Sequence, residues 1–273
     1  MLLGFGRKTA TRHLYLHAGM DKTGTSALQQ VLYSNRHQLL TDDGILYPKA
    51  ALWLDRSHHL LPFSFLEMAG HKKSDVKRIL GELRREVVTT NSVILSSEIM
   101  FKIPAREDSI EFLRQLFGLF RSVTVIIYVR PQDDWVESRY KHSVLSGNNL
   151  SLSGLQKPFF CDYKRWIDHW SNLIGHDNIV IRSYDNQHLL GRNLAIDFLT
   201  TIGARAPQDY AKSMIRVNES LGNAQHEIKK VANTLGIKGR TADRLNQVLI
   251  SHSCGFRTVR DGARLLSNSD RTS

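Results

Sequence analysis

Eight residues near the N-terminus, Gly19-Met20-Asp21-Lys22-Thr23-Gly24-Thr25-Ser26, combine two glycines, one lysine and three hydroxyl side chains. Glycines let the backbone turn so that several N–H groups and a helix N-terminus converge on an anion, and a lysine adds a point charge. In the nucleotide triphosphatase loop, GxxxxGK[ST], the lysine directly follows the second glycine. Here Thr25 stands in that place and the lysine is Lys22, inside the loop, so the usual grip on a β,γ-phosphate pair is missing. A glycine turn that merely joins strand to helix is the competing reading. A second candidate is Arg130, which ends the most apolar run of the chain, with Ser138 eight residues later. An arginine ending a central strand needs a counter-charge. Asp133, Asp134 or Glu137 could supply it as a structural ion pair, or a ligand phosphate could, which suits a planar, permanently charged guanidinium.

The elements that position these residues are readable. Leu14 to His17 has strand character and leads through the glycine loop into a helix whose Leu28, Val31 and Leu32 fall at helical spacing. Val93-Ile94-Leu95 is a buried strand ending at Ser96-Ser97-Glu98, and it follows a charged helix around Asp75 to Val88. Val123 to Val129 is seven consecutive β-branched or aromatic residues, the signature of a central strand covered on both faces. Pro131 suits the first turn of the helix that follows it. Ile179-Val180-Ile181 is the fourth strand, after a helix Tyr163 to Ile174, and it leads through Arg182-Ser183-Tyr184-Asp185 into the apolar-periodic Leu194 to Ile202. Alternating strands and helices predict an α/β fold, a mostly parallel sheet with helices on both faces. Ligands of such sheets bind beyond the carboxyl ends of the strands. Only helices are expected after Asn218, roughly Ser220 to Leu235 and Thr241 to Ser251. With no linker before them, the reading is one domain over 1–273, with 218–267 a helical extension and 1–11 and 268–273 flexible.

Lys22-Thr23-Gly24-Thr25-Ser26-Ala27-Leu28-Gln29 resembles the 5′-phosphosulfate loop of sulfotransferases that use 3′-phosphoadenosine 5′-phosphosulfate (PAPS) as donor. Val125 to Ser138 resembles the 3′-phosphate segment of that family, with Arg130 and Ser138 in the expected places, and Asn178 to Asp185 is similar to the strand whose terminal tyrosine, here Tyr184, lies near the adenine. The matches cover roughly residues 12–203 and look most like the bacterial carbohydrate-type branch with its P-loop-like fold. The resemblance implies that Lys22 stabilises the bridging oxygen as sulfate leaves, that Thr23, Gly24, Thr25 and Ser26 hold the 5′-phosphate, and that Arg130 and Ser138 grip the 3′-phosphate. It implies a general base facing the loop. Glu98 is the choice, because the family places a histidine there in its small-molecule branch and a glutamate in its glycan branch. His17, His58, His59 and His142 compete for that role. The Arg-Lys-Gly loop of the small-molecule members is missing, and Arg257 and Arg260 are its only basic substitutes. Asp21 stands where related bacterial loops carry histidine.

Composition agrees with a polyanionic donor. Among 273 residues, 37 Lys and Arg against 26 Asp and Glu give a formal charge of +11. The 41% apolar content excludes disorder for most of the chain. Cys161 and Cys254 cannot build a disulfide framework and neither lies in a CxxC pair. No HExxH or paired Cys/His spacing occurs, so no metal is expected. Arg7 and Lys8 follow the apolar start, inverting the order of a signal peptide, and no transmembrane run occurs, so a cytoplasmic protein is expected. Basic residues are dispersed without an aromatic-basic array, so nucleic acid is not the expected partner. The expected acceptor is a carbohydrate or glycolipid, lined by residues from Trp53 to Met68 and Val144 to Phe160, and a peripheral membrane contact stays open. A P-loop kinase is the alternative activity, opposed by the missing lysine after Gly24 and the missing strand-end Asp for Mg²⁺.

Overall fold

The computed structural model describes residues 12–148, 162–213 and 223–251. In chain order the elements are β1 (His13–His17), α1 (Thr25–Ser34), α2 (Arg36–Asp43), β2 (Ile45–Leu46), α3 (Leu60–Leu66), α4 (Lys73–Glu86), β3 (Ser92–Ser96), a 3₁₀ segment (Glu98–Ala105), α5 (Ser109–Phe117), β4 (Ser122–Val129), α6 (Gln132–Leu145), α7 (Tyr163–Ile174), β5 (Ile179–Ser183), α8 (Leu194–Thr201), α9 (Pro207–Ala211), α10 (Asn223–Thr234) and α11 (Gly239–Ser251). They divide into two compact units. The first holds described residues up to 129 and 163–213; the second holds 130–148, 162 and 223–251.

The first unit is built on a five-stranded parallel sheet of order β2-β3-β1-β4-β5. Tyr15 pairs in register with Ile94 on one side and Thr124 on the other, and His17 with Ser96 and Ile126. One face presents Leu14, Leu16, Val93, Leu95, Val123, Val125 and Ile127, all buried. The other mixes apolar with polar groups and packs Ile94, Ile126 and Tyr128 against Leu28, Val31 and Leu32 of α1 and Leu194, Phe198 and Leu199 of α8. Burial on both faces is what an α/β sheet sandwiched by helices requires. The edge strand β5 is only half-buried.

Local chemistry fixes the helix ends around this sheet. The Asn193 side chain caps α8 by accepting from the N–H groups of Ala195 and Ile196. Gly44, at φ 66°, ends α2 in the left-handed conformation. Beneath α8, the fully buried Asp197 accepts from Tyr128 Oη at 2.6 Å, Arg182 Nε at 3.0 Å and the Leu190 N–H at 2.9 Å. Four of the five strands and the helices α4, α7, α8, α10 and α11 fall where the sequence puts them, within a few residues. Sequence patterning did not identify β2, α2, α3, α5 or α9. Pro131 sits one residue before α6, as its cap, rather than inside its first turn.

The second unit contains α6 and the C-terminal pair α10 and α11. Asn233 of α10 donates to the Val144 carbonyl at 2.8 Å, and Asn246 of α11 to the Leu145 carbonyl at 3.3 Å, so both helices are tied to the end of α6. The Tyr140 and His226 rings lie 5.1 Å apart in the same unit.

Candidate functional site

Strand β1 lies between β3 and β4, and the chain leaves it at the point where connections run to either side of the sheet. That is where an open parallel sheet forms a crevice. His17 ends the strand with its Nδ1 2.8 Å from Ser96 Oγ. Burial drives its pKa down to about 3, so the ring is a neutral part of the floor. Directly above it comes Gly19, where an added Cβ would fall 2.7 Å from His17 Nε2 and 2.8 Å from Thr25 Cγ2. Only a bare backbone passes there.

The loop then closes on itself, with Thr23 Oγ1 donating to the Met20 carbonyl at 2.7 Å. Lys22 and Gly24 have φ of 67° and 74°, and Thr23 between them does not share that sign. Alternation of this kind turns successive N–H groups toward one side, a nest for an anion. α1 starts at Thr25 with Gly24 as its cap residue and no side chain covering its first N–H groups. Over this nest stands Tyr184, whose hydroxyl would be 2.8 Å from a Cβ at Gly24.

Glu98, first residue of the 3₁₀ segment after β3, accepts a short hydrogen bond on Oε2 from Thr25 Oγ1. Burial raises its pKa above the ordinary value of a glutamate. The Thr25 hydrogen bond and the Lys22 charge oppose that rise, while the Asp21 and Asp55 carboxylates reinforce it. Asp21 therefore has a physical effect that sequence could not reveal: its charge adds to the rise in the Glu98 pKa and so to the basicity of that carboxylate.

The two serines before Glu98 are held as firmly. Ser97 Oγ lies 2.7 Å from Nδ1 of the buried His59, whose Nε2 is 3.6 Å from Asp55 Oδ2. His58 accepts the Ser96 N–H on Nδ1 at 3.1 Å, which fixes Nε2 as the protonated nitrogen, 2.9 Å from the Pro48 carbonyl. Burial takes its pKa down to about 4, and it serves as a structural pin between the 48–58 segment and β3. Next to it Trp53, Phe63 and His71 form an aromatic cluster, with Trp53 5.3 Å from each of the other two rings.

No protein-family profile matches the chain. An uncharacterized protein of Archaeoglobus fulgidus is 27% identical over a region that makes up 52% of this chain and 43% of that protein, so the chain spans less than half of that relative's length. Among solved structures, a sulfotransferase from Alicyclobacillus acidocaldarius aligns with TM-score 0.40 and 12% identity, covering 84% of this chain and 98% of that one. Mouse sulfotransferase SULT7A1 complexed with PAP aligns with TM-score 0.35 and 11% identity, covering 94% of this chain and 82% of that one. At scores this low, any assignment of function rests on the chain's own residues.

Of the residues singled out by sequence, Lys22, Thr23, Gly24, Thr25, Ser26, Glu98 and Tyr184 all belong to the first unit. Thr23 and Thr25 direct their hydroxyls to protein oxygens, and Ser26 is the exposed hydroxyl of the set. Arg130 and Ser138 belong to the second unit, Arg130 two residues before α6 and Ser138 in its second turn, both half-buried. Glu137, one of three carboxylates considered as an Arg130 partner, pairs with Lys141 at 3.0 Å. Sequence reasoning missed Asp55 and the Ser97–His59 contact, because nothing local announces that residues 55–59 reach the end of β3. Arg257, Arg260, Cys161 and Cys254 and the stretch 149–160 lie outside the described residues. Among the described residues no group of three His, Cys, Asp or Glu is placed to hold a metal ion, and no helix is long and apolar enough to cross a membrane.

Proposed function

We propose that the protein transfers a sulfuryl group from PAPS to a hydroxyl of a carbohydrate or glycolipid, as in bacterial carbohydrate-type sulfotransferases. The observation that carries this reading is the hydrogen bond between Thr25, in the anion-binding loop, and Glu98, a carboxylate whose burial makes it a stronger base than an exposed one. In this reading the acceptor oxygen attacks sulfur while the bond from sulfur to the bridging oxygen of the 5′-phosphate breaks. 3′,5′-ADP leaves with the electron pair, and the acceptor proton passes to Glu98. Thr25 holds Oε2, which leaves Oε1 to receive that proton. Lys22 and the nest N–H groups neutralise charge growing on the bridging oxygen. Tyr184 borders the adenosine; for the 3′-phosphate, which distinguishes this donor from ATP, the resemblance supplies Arg130 and Ser138. The aromatic cluster of Trp53, Phe63 and His71 suits the apolar faces of sugar rings.

The test is transfer of labelled sulfate from PAPS to a panel of glycans. Lys22→Ala and Glu98→Ala are expected to abolish transfer, whereas Arg130→Ala mainly weakens donor binding. A thermal shift with 3′,5′-ADP that exceeds that with 5′-AMP supports the donor; equal shifts, or a response only to ATP with Mg²⁺, would refute it.

A further inference from the structure

Helix α10 is amphipathic in the reverse sense for a helix surrounded by water. Gln225, His226, Lys229 and Asn233 on its inward side are buried, while Ile228 and Val231 on its outside are 52% and 59% exposed. Leu235, just past the helix end, is 73% exposed, and it still donates its N–H to the Val231 carbonyl at 3.0 Å, so it continues the last turn. Positions 228, 231 and 235 are spaced i, i+3 and i+7, which puts them on one stripe of the helix, and the exposed Ala224 extends that stripe by a turn. Single apolar residues are ordinary on a protein surface. A stripe of them along one helix marks a contact.

The charge around the stripe is positive. Residues 223–251 carry five Lys and Arg against two carboxylates. Glu227, the carboxylate next to the stripe, is paired with Lys230 at 3.1 Å. Lys238 and Arg240 follow Leu235 by three and five residues, both are exposed, and neither side chain makes a hydrogen bond or ion pair among the described residues. With 12 residues α10 is about 18 Å long, well short of the roughly 30 Å of a bilayer core, so its stripe could only lie along a membrane and not across it. Exposed apolar side chains with cations at the end of the helix are the pattern of an interfacial helix: the apolar groups enter the acyl boundary while Lys and Arg stay among the headgroups. A second copy of this chain, at a formal charge of +11, would set like charge against Lys238 and Arg240, whereas an anionic lipid surface supplies the counter-charge.

We propose that α10 docks the protein on an anionic lipid membrane. Ile228, Val231 and Leu235 enter the acyl boundary, and Lys238 and Arg240 meet the lipid phosphates. The docking does not depend on the reaction assigned to the Lys22 loop.

The experiment is co-sedimentation of the full chain with vesicles of phosphatidylcholine alone and of phosphatidylcholine mixed with phosphatidylglycerol. Partitioning should be about tenfold or more stronger on the anionic vesicles and should weaken as salt rises. A basic protein can bind anionic lipid through charge alone, so the deciding variant is Ile228→Ser/Val231→Ser/Leu235→Ser, which leaves every charge in place. It is expected to weaken partitioning about tenfold or more. Val231→Ser alone gives the same readout, about threefold, should the triple variant fail to fold. Lys238→Gln/Arg240→Gln should cost about tenfold and flatten the salt dependence. Unchanged partitioning of the stripe variants, equal binding to neutral and anionic vesicles, or binding to neither would overturn the proposal. So would self-association of the wild-type chain without lipid that the stripe variants abolish in analytical ultracentrifugation, because the stripe would then be a contact between copies.

Discussion

The two histidines buried at the carboxyl end of the sheet make the fold sensitive to acid. His17 and His58 have pKa values of about 3 and about 4, both lowered by burial from an ordinary 6.5. In the unfolded chain each takes up a proton near its ordinary value, whereas in the fold neither does until far lower pH. The unfolded state thus binds more protons below that value, and stability is full above it and lost as pH falls toward the folded pKa. At about 1.36 kcal/mol per pKa unit, each site loses about 2 kcal/mol between pH 7 and pH 5, and the pair about 4 kcal/mol. Against a typical total of about 5–15 kcal/mol, that is a large fraction. Urea unfolding followed by circular dichroism at about pH 7 and about pH 5 measures it. The reference is the double variant His17→Gln/His58→Gln, whose amides cannot ionise. The wild type should lose about 4 kcal/mol more than this variant across the interval. An equal loss in both proteins would mean that these imidazoles ionise inside the fold, and the description of the sheet end as a dry, neutral floor would fail.

Further outcomes concern the loop, the base and the buried ion pair. Gly24→Ala must place a side chain at φ 74° with its Cβ 2.8 Å from the Tyr184 hydroxyl and 2.9 Å from Leu194 Cδ2, so thermal unfolding should show a loss of about 1–3 kcal/mol together with weakened nucleotide binding. If Glu98 is the base, the acid limb of the transfer rate lies above the ordinary value of a glutamate. Thr25→Val, which removes a hydrogen bond that holds the Glu98 pKa down, should move that limb to still higher pH; a limb that stays in place would show that Glu98 is not the titrating group. Arg182→Met leaves Asp197 buried without its cation and should cost about 3–5 kcal/mol by chemical denaturation, with much of the loss recovered by adding Asp197→Asn.

β4 was readable because Val123 to Val129 is an unbroken run of β-branched and aromatic residues with Pro131 just beyond it, β3 and β5 from their short apolar runs, and β1 from its apolar residues ahead of Gly19. β2 was not, since it is two residues long and gains its identity only by pairing Ile45 with Ser92. α3 was hidden by Pro62 inside it and by its short length. The loop with Lys22 was evident from composition and spacing alone, whereas its partnership with Glu98 joins residues 73 positions apart. Such a contact is created by the parallel register of β1 and β3, which lays Ser96 beside His17 and so carries Glu98 toward α1. The roles of His58 and His59 were equally out of reach: adjacent in sequence, one pins backbone and the other meets Ser97, a division made by the path of the 53–59 turn.

The close fit of His17 and Thr25 around Gly19 ties the fates of three positions. Gly19 does not need an unusual backbone angle; it needs room, and the His17 imidazole and the Thr25 methyl group take that room together. Drift at position 19 therefore waits on the other two. A lineage that exchanges His17 for a small residue and Thr25 for serine opens position 19 to alanine, while one that retains either keeps a bare backbone there.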